Sequence, residues 1–543
     1  MSTKWRVRLT GAALTVLVAG LVSLLSVSVR GAGGLLPGLA VADPPPANVP
    51  KADCGPTDHV ESGLQGQTTI AERLSLDSQT AYNCNTELVG QYAGEGASWQ
   101  LAWFDDCAYY DTANNAANPA TNPTFNPMVH PGTIVIDASD PTNPQMTANL
   151  TDRAMLDPWE SLKVNKKRKL LGATKGPGGA TTIVGGFPDS QFSFYDIKTD
   201  CRHPKLLSDV DVPGHIGHAG EFAPDGKTYY GTSLAGHFTA MDISDPTNPQ
   251  PLMPTIRLNN TAADVPPGPS PTPGYYVFHD ITISDDGNRL YAANFGNALG
   301  GRPNGLVIVD VSEIQNRLPN PQIHIVSTLF WADGSRAAQV GQPVRIKGKP
   351  YVVFADENGN RAASCPLGWS PFGMARIIDI SDETNPTTVS TLMLEINDPV
   401  NCTVGLLDQA FGGFSYDSHY CTVDDPNNAK LAACGHFASG LRVFDIRDPS
   451  HPKEIAYYKP PAQGTVLRPG SQLGRANATT GVIRDRTTDW ATSNVRFVHN
   501  SPGDYQIWFT SQDNGFQIVR LTDRLLALTG LDKFEQDHPG NQN

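Results

Sequence analysis

Seven short apolar segments recur along the chain, and each of them is followed by a polar turn. In residues 236–252, GHFTAMDISDPTNPQPL, the apolar run gives way at Asp242 to a turn that contains Asp245, Pro246 and Asn248. Proline presets φ, and Asp and Asn hydrogen-bond to their own backbone, so this chemistry favours a tight turn. The segment therefore predicts a β-strand, a turn and the start of a second strand. Similar segments begin at Gly132, Phe192, Gly305, Met374, Gly440 and Gly515.

One acidic position marks six of the seven copies, and Arg520 takes its place in the last. Neighbouring copies lie 46 to 75 residues apart, which is enough for four short strands with their loops. One such sheet cannot bury both of its faces alone, so the series predicts an all-β, seven-bladed β-propeller of four-stranded antiparallel blades. An open solenoid or a two-sheet sandwich is the alternative, although their repeats are shorter or their strands fewer. The acidic positions are Asp137, Asp196, Asp242, Asp310, Asp379 and Asp445.

The two ends of the repeat region predict how the ring closes. Residues 87–92, ELVGQY, resemble an outer strand without a blade, and the copy at Gly515 has no outer strand of its own. We expect residues 87–92 to pair with residues 516–521, because this closure removes two exposed sheet edges. The predicted organisation is a signal peptide, a proline-rich linker with an irregular segment, the propeller and a C-terminal tail, at residues 1–42, 43–84, 85–524 and 525–543.

The first residues of the chain are typical of an export signal. Lys4, Arg6 and Arg8 precede an apolar run over residues 9–29, and residues 40–42, Ala-Val-Ala, offer a cleavage site. The run is also long enough to span a bilayer, so an uncleaved anchor is the alternative and the one membrane contact that we expect. The sequence therefore predicts a secreted or cell-envelope protein.

Composition and charge narrow the choice of partners. The 51 glycines and 44 prolines, with 17% charged residues, are typical of a turn-rich β protein rather than a helical or disordered one. The net charge is −14, and the one basic run outside the N-terminus, residues 166–169, fits a hairpin turn, so we expect no nucleic-acid partner. Nucleophile-elbow, P-loop and dinucleotide motifs are absent from the sequence. The protein or small-molecule partner stays unidentified.

The eight cysteines predict disulfide bonds. An even number of cysteines behind an export signal is typical of an oxidising compartment. Cys421 and Cys434 are equidistant from the turn at residues 427–428, so they should face each other across a hairpin. The other six are assigned to sequential pairs on order alone. They are Cys54, Cys84, Cys107, Cys201, Cys365 and Cys402.

Two histidines are the candidate metal ligands. Asp-Gly hairpin turns at residues 225–226 and 286–287 place His218 and His279 at equivalent positions in neighbouring blades, at the starts of inner strands. Two imidazoles directed into one channel predict a transition-metal site of open identity. In the alternative, each imidazole hydrogen-bonds a backbone carbonyl or packs on the next blade. Three further residues lie near comparable positions: Glu160, His215 and His419.

A second set of candidates lies at the ends of the second strands. These positions are polar in every blade, which predicts a ligand mouth with donors and acceptors, although loops are polar in any protein. Asp356 and Glu357 are candidate oxygen ligands or general bases. The predicted mouth residues are Asn294, Asp356, Glu357, His436 and Asp513.

Residues 306–310 read LVIVD. With the other copies, the chain resembles the LVIVD-repeat family of secreted bacterial β-propellers over roughly residues 99–523, which implies the fold but no catalytic residue. One blade, through His279-Asp280-Ile281 and the aspartates 285–286, also resembles the selenium-binding protein and methanethiol oxidase family, whose members are metal-dependent thiol oxidases.

Two hypotheses about function follow from the sequence. The first is an exported binding or interaction propeller. The second is a metal-dependent enzyme, such as a copper-type oxidase, with histidines at the channel mouth.

Overall fold

The fold is that of a computed structural model, which describes most of the chain. The predicted export signal, residues 1–42, lies outside the described residues. In the described part, no helix has the length and apolar character needed to cross a membrane. The described residues are 47–112, 129–176, 190–258, 276–409, 415–464, 468–469, 471, 473, 486–491, 494–498 and 505–531.

Thirty strands account for most of the regular structure in the described part of the chain. In chain order they are β1 (Tyr82–Cys84), β2 (Thr86–Tyr92), β3 (Ala97–Phe104), β4 (Cys107–Thr112), β5 (Thr133–Asp137), β6 (Gln145–Leu150), β7 (Lys163–Asn165), β8 (Leu170–Thr174), β9 (Gln191–Asp196), β10 (Lys205–Asp211), β11 (Ala219–Phe222), β12 (Thr228–Thr232), β13 (His237–Asp242), β14 (Gln250–Pro251), β15 (Ile256–Arg257), β16 (Phe278–Ile283), β17 (Arg289–Asn294), β18 (Gly305–Asp310), β19 (His324–Phe330), β20 (Ser335–Ile346), β21 (Lys349–Gly359), β22 (Ala375–Asp379), β23 (Thr387–Thr391), β24 (Ser418–Val423), β25 (Leu431–His436), β26 (Gly440–Asp445), β27 (Lys453–Lys459), β28 (Arg496–Val498), β29 (Gln506–Ser511) and β30 (Gly515–Leu521).

The helices are short and lie outside the sheets. The α-helices are α1 (Ile70–Ser75), α2 (Ser312–Gln315), α3 (Cys402–Asp408) and α4 (Asp523–Thr529). The 3₁₀ turns are Asp77–Gln79, Ala298–Gly300, Arg361–Ala363, Cys365–Leu367, Glu395–Asn397 and Pro399–Asn401.

The described strands form seven antiparallel sheets, which confirms the seven-bladed propeller. Within a blade the strands follow chain order from the inner strand outwards. The inner strand of each blade contacts that of the next from β3 to β28, and β29 contacts β3, so the ring is closed. Blades 1 to 7 consist of β3–β6, β7–β10, β11–β15, β16–β19, β20–β23, β24–β27 with β1, and β28–β30 with β2.

The repeated acidic residue ends the third strand of a blade and caps the turn that follows. The carboxylate of Asp310 accepts a hydrogen bond from the Ser312 N–H at 2.8 Å, and that of Asp137 accepts one from the Ser139 N–H at 2.9 Å. Such a turn is stabilised by the side chain itself. This local chemistry explains why the same residue type returns in successive blades.

The apolar residues of the repeat pack on both faces of the strand. In β18, Leu306 and Ile308 pack in one cluster with Phe354 of blade 5. The alternate residues Val307 and Val309 pack in another cluster with Phe238 of blade 3. A strand buried on both faces needs a continuous apolar run, so each repeat joins two neighbouring blades.

An N-terminal strand closes the ring, as the sequence predicted. Strand β2 pairs with β30, with Leu88 opposite Val519 and Tyr92 opposite Phe516. The sequence did not predict β1, which adds a fifth strand to blade 6. The preceding segment is also attached, because the N–H of buried Val49 donates to the Met393 carbonyl at 2.9 Å. The end of the predicted linker therefore lies against blade 5.

Four disulfide bonds join cysteines that are sequential in the chain. Cys421 and Cys434 stand opposite each other in the β24–β25 hairpin, with Cα atoms 4.1 Å apart, as predicted. One of the other bonds, Cys107–Cys201, links blade 1 to the turn after the third strand of blade 2. The remaining bonds are Cys54–Cys84, Cys107–Cys201 and Cys365–Cys402.

Candidate metal centre

Bulges in the inner strands bring consecutive side chains into the channel. The register of β16 on β17 shifts so that His279 and Asp280 stand opposite one residue of the neighbouring strand. In β24 the same shift affects His419 and Tyr420. A bulge interrupts the alternation of side chains along a strand. Both residues of each pair can thus contribute polar groups to the channel.

Two further polar residues lie just before the inner strands of their own blades. His218 directly precedes β11, and Glu160 lies just before β7. The Glu160 N–H donates to the His218 carbonyl at 3.2 Å, and Glu160 forms a parallel bridge with Ala219. The backbones of blades 2 and 3 therefore hold these two side chains together.

Three imidazoles turn their Nε2 atoms toward the Glu160 carboxylate. The distance from Nε2 to the nearer carboxylate oxygen is 2.9 Å for His218, 3.5 Å for His279 and 3.3 Å for His419. The Nε2 atoms of His218 and His279 are 3.0 Å apart. Four residues from blades 2, 3, 4 and 6 thus converge on one point of the channel.

Glu357, from the second strand of blade 5, completes this group. Its Oε1 atom lies 3.8 Å from Nε2 of His279, and its Oε2 atom lies 3.6 Å from Nε2 of His419. We call the five residues the histidine cluster. Its members are Glu160, His218, His279, Glu357 and His419.

The cluster is almost completely withdrawn from solvent. The side chains of Glu160 and the three histidines are at most 2% exposed, whereas that of Glu357 is 12% exposed. Burial of charged groups is costly unless they are paired. The two carboxylates therefore depend on their immediate neighbours.

Burial and proximity shift the pKa values within the cluster. Burial lowers the pKa of His279 to about 3, so this imidazole is neutral at pH 7. Burial alone would raise the pKa of Glu160, but His279 and His218 outweigh it and hold that pKa well below its usual range. For Glu357, burial and then the charge of Glu160 raise the pKa well above its usual range. Neutral imidazole is the form that binds metals.

The donor set fits a transition metal. Histidine nitrogens bind zinc at about 2.0–2.1 Å, so two nitrogens 3.0 Å apart can share one ion at an angle of about 90°. Imidazole ligands suit zinc, copper, iron and nickel. The donor atoms of Glu160, His218 and His279 lie within 4.8 Å of one another, as do those of Glu160, Glu357 and His419.

Outer contacts fix the orientation of the imidazole rings. Nδ1 of His279 lies 3.3 Å from the Gln339 carbonyl, and Phe295 stacks on the same ring at 5.3 Å between centroids. Trp99 meets the His419 ring edge-on at 5.6 Å. Metal-binding histidines generally hold their second nitrogen in this manner.

The structure brings the two histidines predicted as metal ligands together, and metal binding itself stays a prediction. His419 and Glu160, considered at comparable positions, join them, whereas His215 packs on Phe192 with 4.9 Å between ring centroids. Glu160 lies outside a regular strand, so the repeat pattern does not place it. The carboxylate that lies 2.9 Å from Nε2 of His218 thus carries little sequence signal.

The predicted mouth residues other than Glu357 are buried, and most of them already form hydrogen bonds or ion pairs within the protein. Asn294 accepts a hydrogen bond from the Val277 N–H at 2.9 Å. Asp356 pairs with Arg376 at 2.8 Å, and Asp513 accepts from the Arg468 N–H at 2.8 Å. Burial lowers the pKa of His436 to about 3, so it is neutral. A ligand mouth at these positions stays a prediction.

Comparison with known proteins supports the repeat and gives no function. The family model of the LVIVD repeat matches residues 283–314, in blade 4. No curated protein matches the chain.

Proposed function

We propose that this LVIVD-repeat β-propeller is a metal-dependent enzyme whose metal ion is held by the histidine cluster. The observation that carries the proposal is the convergence of three Nε2 atoms on one carboxylate, at 2.9, 3.5 and 3.3 Å. A structural imidazole needs one acceptor for its N–H, which separate backbone carbonyls could provide. Three rings directed at one buried carboxylate are better explained by a shared cation.

Each residue has a role in this proposal. His218, His279 and His419 would bind the ion through Nε2, and Glu160 would supply an anionic oxygen ligand. Glu357 is the most exposed member of the cluster and carries a raised pKa, so it would hold or transfer a proton beside the ion. A bound transition metal would supply Lewis-acid or redox chemistry. Copper-type oxidation is the reaction class favoured by the resemblance around His279.

The first experiment is to measure the metal content of the purified protein. Protein prepared without chelators should contain close to one equivalent of copper, iron or zinc by elemental analysis. The Glu160→Gln and His218→Ala variants should lose it, whereas His203→Ala, an exposed histidine, should keep it. Protein that neither contains nor takes up these metals would refute the proposal.

The second candidate function is the exported binding propeller without chemistry. It is favoured if chelation leaves every measured property unchanged. Oxygen uptake with a small thiol, compared between metal-loaded and metal-free protein, tests the oxidase reaction directly. The four disulfide bonds support an extracytoplasmic location, and fractionation of the producing cells tests it.

A further inference from the structure

A cavity of about 320 Å³ lies beside the histidine cluster, between blades 4 and 5. This volume lies at the lower end of the range for small-molecule sites. One lining residue is Phe295, whose ring stacks on the cluster residue His279. Another is Asn358, the neighbour of Glu357 in the chain. The cavity is therefore one layer of side chains away from the candidate metal ion.

Two arginines line this cavity, and its described lining includes no acidic residue. They are Arg302 and Arg336, in a chain whose net charge is −14. Phe295 and Ala337 add apolar surface. A cationic pocket in an acidic protein needs a specific explanation.

The acidic side chains near Arg336 do not fully compensate its positive charge. Its Nε atom is buried without a hydrogen-bond acceptor among the described residues. Burial and then the positive charge of Arg361 lower the Arg336 pKa, and the opposing effects of Asp417 and Glu357 do not offset them. A buried donor of a guanidinium is costly to leave unpaired. An anion in the adjacent cavity would accept this hydrogen bond.

We propose that the cavity binds the anionic group of a small organic substrate, with that group at Arg336 and Arg302 and its apolar body against Phe295. A guanidinium binds planar or tetrahedral oxyanions through paired N–H donors, which suits a carboxylate or a phosphate. The inference rests on the proposed function in one respect, namely that the bound molecule is what the metal centre acts on. Anion binding itself does not require the metal.

The experiment uses phenylacetate, phenylacetamide and inorganic phosphate as probes in titration calorimetry on the full chain. Phenylacetate tests the complete pocket, phenylacetamide keeps the body without the charge, and phosphate tests the anion alone. Phenylacetate should bind more tightly than phosphate, and phenylacetamide at least tenfold more weakly. Binding should weaken as the salt concentration rises.

Variants separate the cavity from the fold and from the metal. Arg336→Gln and Arg302→Gln should each weaken phenylacetate binding at least tenfold. Arg345→Gln, on the same strand as Arg336 but outside the cavity lining, is the matched control and should bind normally. Circular dichroism and melting of each variant show whether it has folded, and Arg302, an exposed residue, provides the test if Arg336→Gln does not fold.

The outcomes distinguish the two proposals. Charge-dependent binding that needs Arg336, in a protein that neither contains nor takes up metal, would support the cavity proposal and refute the metal enzyme. A metal-containing protein that binds neither anion, or binds phenylacetamide equally well, would refute the cavity proposal and leave the metal centre standing.

Discussion

Two layers of buried polar side chains follow each other along the channel, and they balance charge differently. The first is the histidine cluster. The second, which we call the charged layer, lies one to three residues further along the inner strands of blades 2, 3, 4 and 6, with one residue from blade 7. Its members are Lys163, Glu221, Asp280, Tyr420 and Arg496.

The charged layer contains its own cations. Lys163 Nζ lies 3.1 Å from Asp280 and 3.8 Å from Glu221, and the Tyr420 hydroxyl lies 3.3 Å from Asp280. Burial lowers the pKa of Arg496 to about 10, and the nearby acids Glu221 and Asp280 only partly oppose this effect. The charged layer therefore contains two basic side chains, Lys163 and Arg496, beside two acidic ones, Glu221 and Asp280.

In the histidine cluster, the described ion-pair contacts of Glu160 and Glu357 are with imidazoles. His279 is neutral at pH 7, because burial lowers its pKa to about 3. The imidazole of His279, which contacts both carboxylates, therefore supplies them with no counter-charge. The charged layer thus contains two basic side chains of its own, whereas the histidine cluster, under the function proposed above, would take its positive charge from a metal ion.

The largest expected effect comes from breaking the charged layer. Lys163→Met leaves Asp280 and Glu221 without their nearest cation, and removing one partner of a buried ion pair typically costs about 3–5 kcal/mol. The free energy of unfolding should fall by this amount with or without metal, as measured by denaturant titration. Lys167→Met, an exposed residue in the same hairpin, is the control and should change stability by less than about 0.5 kcal/mol.

The second prediction concerns the histidine cluster, where removing a side chain should abolish stabilisation by metal and leave the stability of the metal-free fold unchanged. His218→Ala and His279→Ala should each keep the melting behaviour of metal-free protein but lose the stabilisation that added metal gives. That stabilisation is about 2.7 kcal/mol at a metal concentration one hundred times Kd. Melting curves with and without metal provide the measurement. If either variant melts far below the metal-free parent, the cluster is holding the fold together.

The third prediction concerns pH and the charged layer. Burial raises the pKa of Glu221 to about 7, and the charge of Lys163 only partly opposes this. The folded state therefore holds this proton more tightly than the unfolded state does. The resulting stability is fully present below the ordinary pKa of a glutamate and is lost as the pH rises through about 7.

Glu221→Gln should flatten this pH dependence. Between pH 5 and pH 8 the parent should lose about 2.5 kcal/mol more stability than the variant, since each unit of pKa shift corresponds to about 1.4 kcal/mol. Denaturant titrations at both pH values provide the measurement. Equal slopes in the parent and the variant would show that Glu221 does not titrate in this range.

The sequence predicted the parts of the molecule that repeat. The third strands ending at aspartates such as Asp310, the closing strand β2 and the Cys421–Cys434 hairpin all follow local rules of turns, alternation and pairing. The equivalence of His218 and His279 also came from a repeated turn. These features were predictable because each has a signal within one blade.

The remaining features depend on departures from the repeat. No residue type in the sequence indicates the bulges that carry Asp280 and Tyr420 into the channel. Glu160 lies before its strand, and Glu357 reaches the axis from a second strand rather than an inner one. The charged layer was missed because strict alternation would turn Asp280 away from His279. Convergence of different blades is a tertiary property, which a repeat alignment does not contain.

The smallest expected effect tests how the histidine cluster is held. Charged-layer side chains are fixed by ion pairs, whereas the His279 ring is fixed by the Gln339 carbonyl and by the stacked ring of Phe295. Aromatic pairs contribute about 0.5–1.5 kcal/mol beyond the area they bury. Phe295→Leu should therefore weaken metal binding by a few-fold to about tenfold without changing the metal stoichiometry. Phe330→Leu, a partly buried residue packed against the blade 4 core, is the control. Competitive titration with a chelator measures both affinities. Equal affinities in the two variants would show that the ring contact does not position His279, and the carbonyl of Gln339 would then be the principal constraint.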